Sequence, residues 1–73
     1  MTEKLPLLSG QEVIKALQRI GYYIRKQKGS HIRLYHPTLL PVTVPNHKEI
    51  DRRTLMSILR TVNISVEDFK NLL

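Results

Sequence analysis

The side chains in this chain best suited to chemistry fall in one stretch, Lys28-Gly29-Ser30-His31-Ile32-Arg33-Leu34-Tyr35. An imidazole takes or gives a proton near pH 7, and a positioned one contributes about 10²–10⁴-fold to a rate as general acid or base. For RNA this set suffices in kind. A base removes the 2′-hydroxyl proton, the oxygen attacks the adjacent phosphorus, and cations stabilise the charge of the phosphorane. Lys28, Arg33 and the amides of Gly29 and Ser30 are the candidates for that stabilisation, and Tyr35 or Tyr23 offers a ring on which an unpaired base could stack. An ordinary exposed strand histidine would show the same spacing, so His31 stands here as either a catalyst or a surface residue.

Three histidines in so short a chain, His31, His36 and His47, invite a metal site. Parity argues against one, because His31 and His36 lie an odd number of residues apart and would point to opposite faces of a strand. Neither cysteine nor a convergent carboxylate accompanies them, so no metal and no cofactor is expected. A second cationic group, His47, Lys48, Arg52 and Arg53, surrounds the expected start of a helix, where the macrodipole disfavours cations by some tenths of a kcal/mol. With the free amides of that first turn it could hold an RNA phosphate, or its side chains could simply splay into water.

The elements that must position these residues are readable from caps and periodicity. Ser9-Gly10-Gln11-Glu12 forms a capping box, with Leu8 and Val13 as a hydrophobic staple, and Val13, Ala16, Leu17 and Ile20 recur at helical spacing up to Gly21. Residues 22–27 and 30–36 then alternate with period two around Lys28-Gly29, which predicts a hairpin. Val42-Thr43-Val44 lies between Pro41 and Pro45, as suits an edge strand. Asp51 caps a second helix whose stripe is Leu55, Ile58, Leu59 and Val62; Asn63 ends it, and Ser65 caps a short last helix that docks Phe69 and Leu72. The predicted fold is α+β: a helix, a three-stranded antiparallel sheet, a helix and a short C-terminal helix, with the helices on one sheet face. Ile32 and Leu34 take that face, which leaves His31, Arg33 and Tyr35 on the wet one.

At 73 residues, of which 41% are hydrophobic, the chain has room for one domain with one thin core, not for a cofactor fold plus a substrate domain. Residues 1–8 read as a leader that could pack on the domain or be flexible, with no signal peptide or membrane span, and cytoplasmic placement is expected. Twelve Lys and Arg against six Asp and Glu give a net charge of +6, and between Val13 and Lys48 lie seven cations (Lys15, Arg19, Arg25, Lys26, Lys28, Arg33, Lys48) and no carboxylate. Such a field attracts a nucleic acid or an acidic protein, and it also suits a merely solubilising surface.

These segments, taken together, resemble the HicA-type toxins, messenger-RNA interferases of toxin–antitoxin pairs. The resemblance rests on Ser9-Gly10-Gln11-Glu12-Val13-Ile14-Lys15-Ala16-Leu17 leading to Gly21-Tyr22, then on Arg25-Lys26-Gln27-Lys28-Gly29-Ser30-His31. It continues through Val42-Thr43-Val44-Pro45-Asn46-His47-Lys48-Glu49-Ile50, Thr54-Leu55-Met56-Ser57-Ile58-Leu59-Arg60 and Ser65-Val66-Glu67-Asp68-Phe69. It implies a double-stranded-RNA-binding-domain-like fold, ribosome-independent cleavage of messenger RNA, an essential histidine that falls on His31, and a HicB-type antitoxin partner. The chain departs from the family at Arg53, where many members carry glycine. Two other readings fit the residues: a non-catalytic RNA-binding module of the same fold, and an interaction protein whose basic face meets an acidic partner.

Overall fold

A computed structural model describes residues 7–73. The elements follow in the expected order, α1 (Gly10–Gln18), β1 (Tyr23–Lys28), β2 (His31–Tyr35), β3 (Val42–Pro45), α2 (Arg52–Val62) and α3 (Val66–Lys70). Most of the expected leader, residues 1–6, lies outside the described residues. Leu8 at its end is buried and forms an antiparallel bridge with Ile50, whose N–H donates to the Leu8 carbonyl at 2.8 Å.

Each helix starts where a side chain answers its free amides. The Ser9 hydroxyl accepts from the Glu12 N–H at 3.2 Å while a Glu12 carboxylate oxygen accepts from the Ser9 N–H at 3.0 Å. In α2 the Asp51 carboxylate accepts from Thr54, and in α3 the Ser65 hydroxyl accepts from the Asp68 N–H at 3.0 Å. Asn63 ends α2 in the left-handed region at φ 59°. The five residues of α3 are too few to persist alone, and the helix is held by Phe69, fully buried, a burial that contributes about 1.5–3 kcal/mol.

The sheet has the order β1-β2-β3, both pairings antiparallel, so β3 is an edge strand and His31 sits on the central one. Gly29 at φ 59° opens a two-residue turn with Ser30, the pattern of a type II′ hairpin, one residue later than the expected Lys28-Gly29 pair. Ile32, Leu34, Val42 and Val44 are buried on one face beneath α1 and α2. Ile14 joins Val13, Ala16 and Leu17 in the buried surface of α1, a wider stripe than the sequence reading assigned. Both helices lie against β3, and β1 is exposed along its whole length; Ile24, on the apolar side, keeps 47% of its surface in water.

Two glycines permit close approaches. A side chain on Gly10 would overlap the Pro45 carbonyl oxygen and stand 2.9 Å from the Asn46 Cα, whereas the bare backbone lets the Gly10 N–H donate to the His47 carbonyl at 2.9 Å. Gly21, at φ 105°, leaves room for the His36 ring, whose Nε2 a Cβ would meet at 2.9 Å. That ring ties the turn after α1 to the β2–β3 loop. Its Nε2–H donates to the Ile20 carbonyl at 2.8 Å, and its Nδ1 accepts from the N–H groups of Thr38 and Leu39, each at 3.0 Å.

Because the Gly10 contact is backbone against backbone, neither side can yield cheaply. Gly10→Ala is expected to cost about 1–3 kcal/mol, read as a lower midpoint in urea denaturation, with Ser9→Ala costing about 1 kcal/mol. An unchanged midpoint for Gly10→Ala would show that the two segments separate freely.

Candidate functional site

Direct cross-strand partners share a face of a sheet, so the register assigns the wet face rung by rung. Lys28, His31 and Pro45 make one rung; Lys26, Arg33 and Thr43 make the next; Tyr23 and Tyr35 make the third. Between them the rungs Gln27–Ile32–Val44 and Ile24–Leu34–Val42 turn toward the helices. His31 is exposed, and with Lys26, Lys28, Arg33, Tyr35 and Thr43 it lines an open depression of about 320 Å³. Three cations and no carboxylate border that depression.

The arrangement depends on an irregularity in β1. The register slips between Ile24 and Lys26, leaving Arg25 as an extra residue opposite β2. Simple alternation from Ile24 would put Arg25 outward and Lys26 inward. With the bulge, Lys26 lines the depression while the Arg25 guanidinium still lies over the Tyr35 ring, 5.5 Å from its centre. Arg33 lies over the same ring at 5.9 Å and donates through Nη1 to the Thr43 hydroxyl at 2.8 Å. Tyr35 thus holds two cations within cation–π range, and Tyr23, 44% exposed, presents the more open ring.

The turn before His31 is tied down from outside the hairpin. The Ser30 carbonyl accepts from the Asn46 N–H at 2.6 Å, and the Asn46 side chain accepts from Gln11 Nε2 at 3.0 Å. Gly29 has open space where a Cβ would stand, so its backbone conformation alone calls for glycine.

Of the residues expected at the site, Lys28, His31, Arg33 and Tyr35 border the depression, Arg25 reaches it through Tyr35, and Gly29 and Ser30 form the adjoining turn. Lys48, Arg52 and Arg53 are exposed but do not border it. At their helix end the Asp51 carboxylate already receives the Thr54 N–H at 3.4 Å and the Thr54 hydroxyl at 2.5 Å. Sequence reasoning missed Lys26 and Thr43; Thr43 was legible from its place between two core valines, whereas Lys26 required the bulge. Among the described residues no group of three His, Cys, Asp or Glu side chains could hold a metal ion. His36 is engaged by backbone groups, and the neighbouring Tyr22 donates its hydroxyl to the Leu40 carbonyl at 2.8 Å, burial pushing that phenol up from its ordinary value.

The model of a family described as HicA toxin of bacterial toxin-antitoxin matches residues 10–64. A solved structure described as a toxin–antitoxin complex from Streptococcus pneumoniae is similar with a TM-score of 0.70 at 26% identity, covering 78% of this chain and 98% of that one. Among curated proteins none matches.

The second cationic group carries a pH signature. The Thr54 hydroxyl hydrogen bond, helped by the backbone N–H of Thr54 and the charge of Arg53, holds the Asp51 carboxyl below the usual carboxylate range despite some desolvation. A folded value below the unfolded one means stabilisation that is present above about pH 4 and lost as pH falls through the folded value. Asp51→Asn is therefore expected to lower the denaturation midpoint at pH 7 and to differ less from the parent near pH 3; a gap independent of pH would remove the charge from the explanation.

Proposed function

The chain belongs to the HicA toxin family of bacterial toxin–antitoxin systems, whose match spans residues 10–64, and on that footing we propose that it is a metal-independent endoribonuclease that cuts messenger RNA with His31 as general acid–base. The observation that carries this reading is the placement of His31: exposed, outward on the central strand, with Lys28 directly opposite and cations without carboxylates around the depression.

The chemistry runs in balanced steps. Neutral imidazole of His31 removes the proton of a 2′-hydroxyl, the 2′ oxygen bonds to the adjacent phosphorus, and the charge gathering on the non-bridging oxygens is met by Lys28 and the amides of the Gly29–Ser30 turn. The bond from phosphorus to the 5′ oxygen then breaks. A proton passes to that oxygen, from the imidazolium or from water, leaving a 2′,3′-cyclic phosphate on one fragment and a 5′-hydroxyl on the other. The anchored turn serves this scheme because a base must hold its distance to the hydroxyl, and a displacement of about 1 Å can cost 10²-fold.

A HicB-type antitoxin is the proposed partner. Support comes from the family and from the similar pneumococcal structure, described as a toxin–antitoxin complex; the carboxylate-free basic stretch suits an acidic covering surface. The cytoplasm, where messenger RNA is exposed, is the proposed place of action.

Induced in a bacterium, the parent chain should arrest growth and fragment transcripts, and the purified protein should cut RNA in the presence of EDTA. His31→Ala should reduce cleavage by about 10²–10⁴-fold with an unchanged circular-dichroism spectrum, since the ring lies outside the core. Equal cleavage by the variant would end the catalytic role, and tight, salt-sensitive binding without cleavage by the parent would leave an RNA-binding module.

A further inference from the structure

The cationic rung beside the one that carries His31 has no task in the scheme above. Lys26 and Arg33 are cross-strand partners on the wet face, so their Cβ atoms lie about 4.5–5.5 Å apart and both side chains can converge on one anion. Arg33 is oriented by Thr43 and Tyr35, while Lys26 borders the same depression from the other strand. Along β2, Arg33 follows His31 by two residues, a separation of about 6.6–6.8 Å. Six bonds of sugar–phosphate backbone, one nucleotide, span such a distance between successive phosphorus atoms.

We propose that Lys26 and Arg33 form a subsite for the phosphate one nucleotide away from the scissile linkage, so that a single RNA strand lies along β2 with its cut at the His31 rung. The proposal rests on the reading of His31 as the catalyst and adds to it the part of the substrate that sets register. The bulge at Arg25 decides which cation stands opposite Arg33: with the slip it is Lys26, and Arg25 is left free to lie over Tyr35. The Tyr23–Tyr35 rung follows in the same direction and places the 44% exposed Tyr23 ring one nucleotide further on, where a base can stack.

The test compares a dinucleoside monophosphate, which has only the scissile linkage, with the same compound carrying one more phosphate on its 5′ side or on its 3′ side. For the parent chain, the added phosphate on one of the two sides should raise kcat/KM on the order of tenfold to a hundredfold, the worth of a hydrogen bond to a charged group. In Lys26→Gln that ratio should fall toward one, in Lys26→Arg it should recover, and in Lys70→Gln, which removes an equal charge from the exposed surface of α3, it should stay as in the parent. A ratio unaffected by Lys26→Gln, or no gain on either side in the parent, overturns the subsite. The same compounds with a 2′-O-methyl group at the scissile position cannot be cut, and their binding affinities should show the same ratios. If the parent cuts no RNA, the catalytic reading fails by itself, and these affinities decide whether the rung takes a phosphate.

Discussion

One backbone junction holds the molecule's working parts in register. The segment after β3 touches α1 through a glycine: with no side chain at Gly10, the first turn of the helix lies directly on Pro45 and Asn46, and its N–H reaches the His47 carbonyl. Asn46 then turns its own N–H to the Ser30 carbonyl at 2.6 Å, and Ile50 closes the far side on Leu8 at 2.8 Å. A hairpin tip is ordinarily among the most mobile parts of a small domain. Here the tip that precedes His31 is bonded to the strand-to-helix connection, which is itself pressed against a capped helix, so core packing fixes a residue that lies outside the core.

The two faces of the sheet obey opposite rules. Toward the helices there is no buried charged or polar side chain among the described residues, and every core strand position is aliphatic. Toward solvent, Lys26, Lys28 and Arg33 crowd together without a carboxylate among them. Such a face works against folding through self-repulsion and gains its return only when a polyanion or an acidic surface meets it. Tyr35 and Thr43 soften that repulsion by engaging guanidinium groups, and the same contacts point the Arg33 fork in one direction.

Most of the fold was legible because its signals are local. A serine three residues ahead of a glutamate, an aspartate ahead of Thr54-Leu55 and an asparagine that accepts the left-handed region each mark an end of a helix, and each marks it in the structure. The outward set His31, Arg33 and Tyr35 followed from alternation on a regular strand. Lys26 did not follow, because a bulge is the outcome of a conflict between two distant requirements. The turn at Gly29 and Ser30 sets Lys28 opposite His31 and therefore sends Lys26 outward, while Tyr22 and Ile24 at the other end of the strand are drawn to the apolar side. These demands differ by one residue in parity, and Arg25 absorbs the difference. That parity clash was present in the sequence, since a two-residue turn at Lys28-Gly29 or at Gly29-Ser30 alike sets odd-numbered β1 residues opposite Ile32, whereas Tyr22 and Ile24 are even.

The contrast between two histidines bears on the role proposed for His31. His31 opens β2 and His36 follows its last residue, five positions on, yet they face different constraints. His36 is held by a carbonyl on one nitrogen and two amides on the other, with Tyr22 packed against its ring at 4.8 Å. Both nitrogens are thereby engaged, in contacts that join the turn after α1 to the β2–β3 loop. His31 begins the strand beside a turn whose backbone is anchored at the Ser30 carbonyl, which leaves its position set by the main chain and its ring open to the depression. A proton carrier needs a fixed Cα and an uncommitted imidazole, which is why the proposed role falls on His31 rather than on His36.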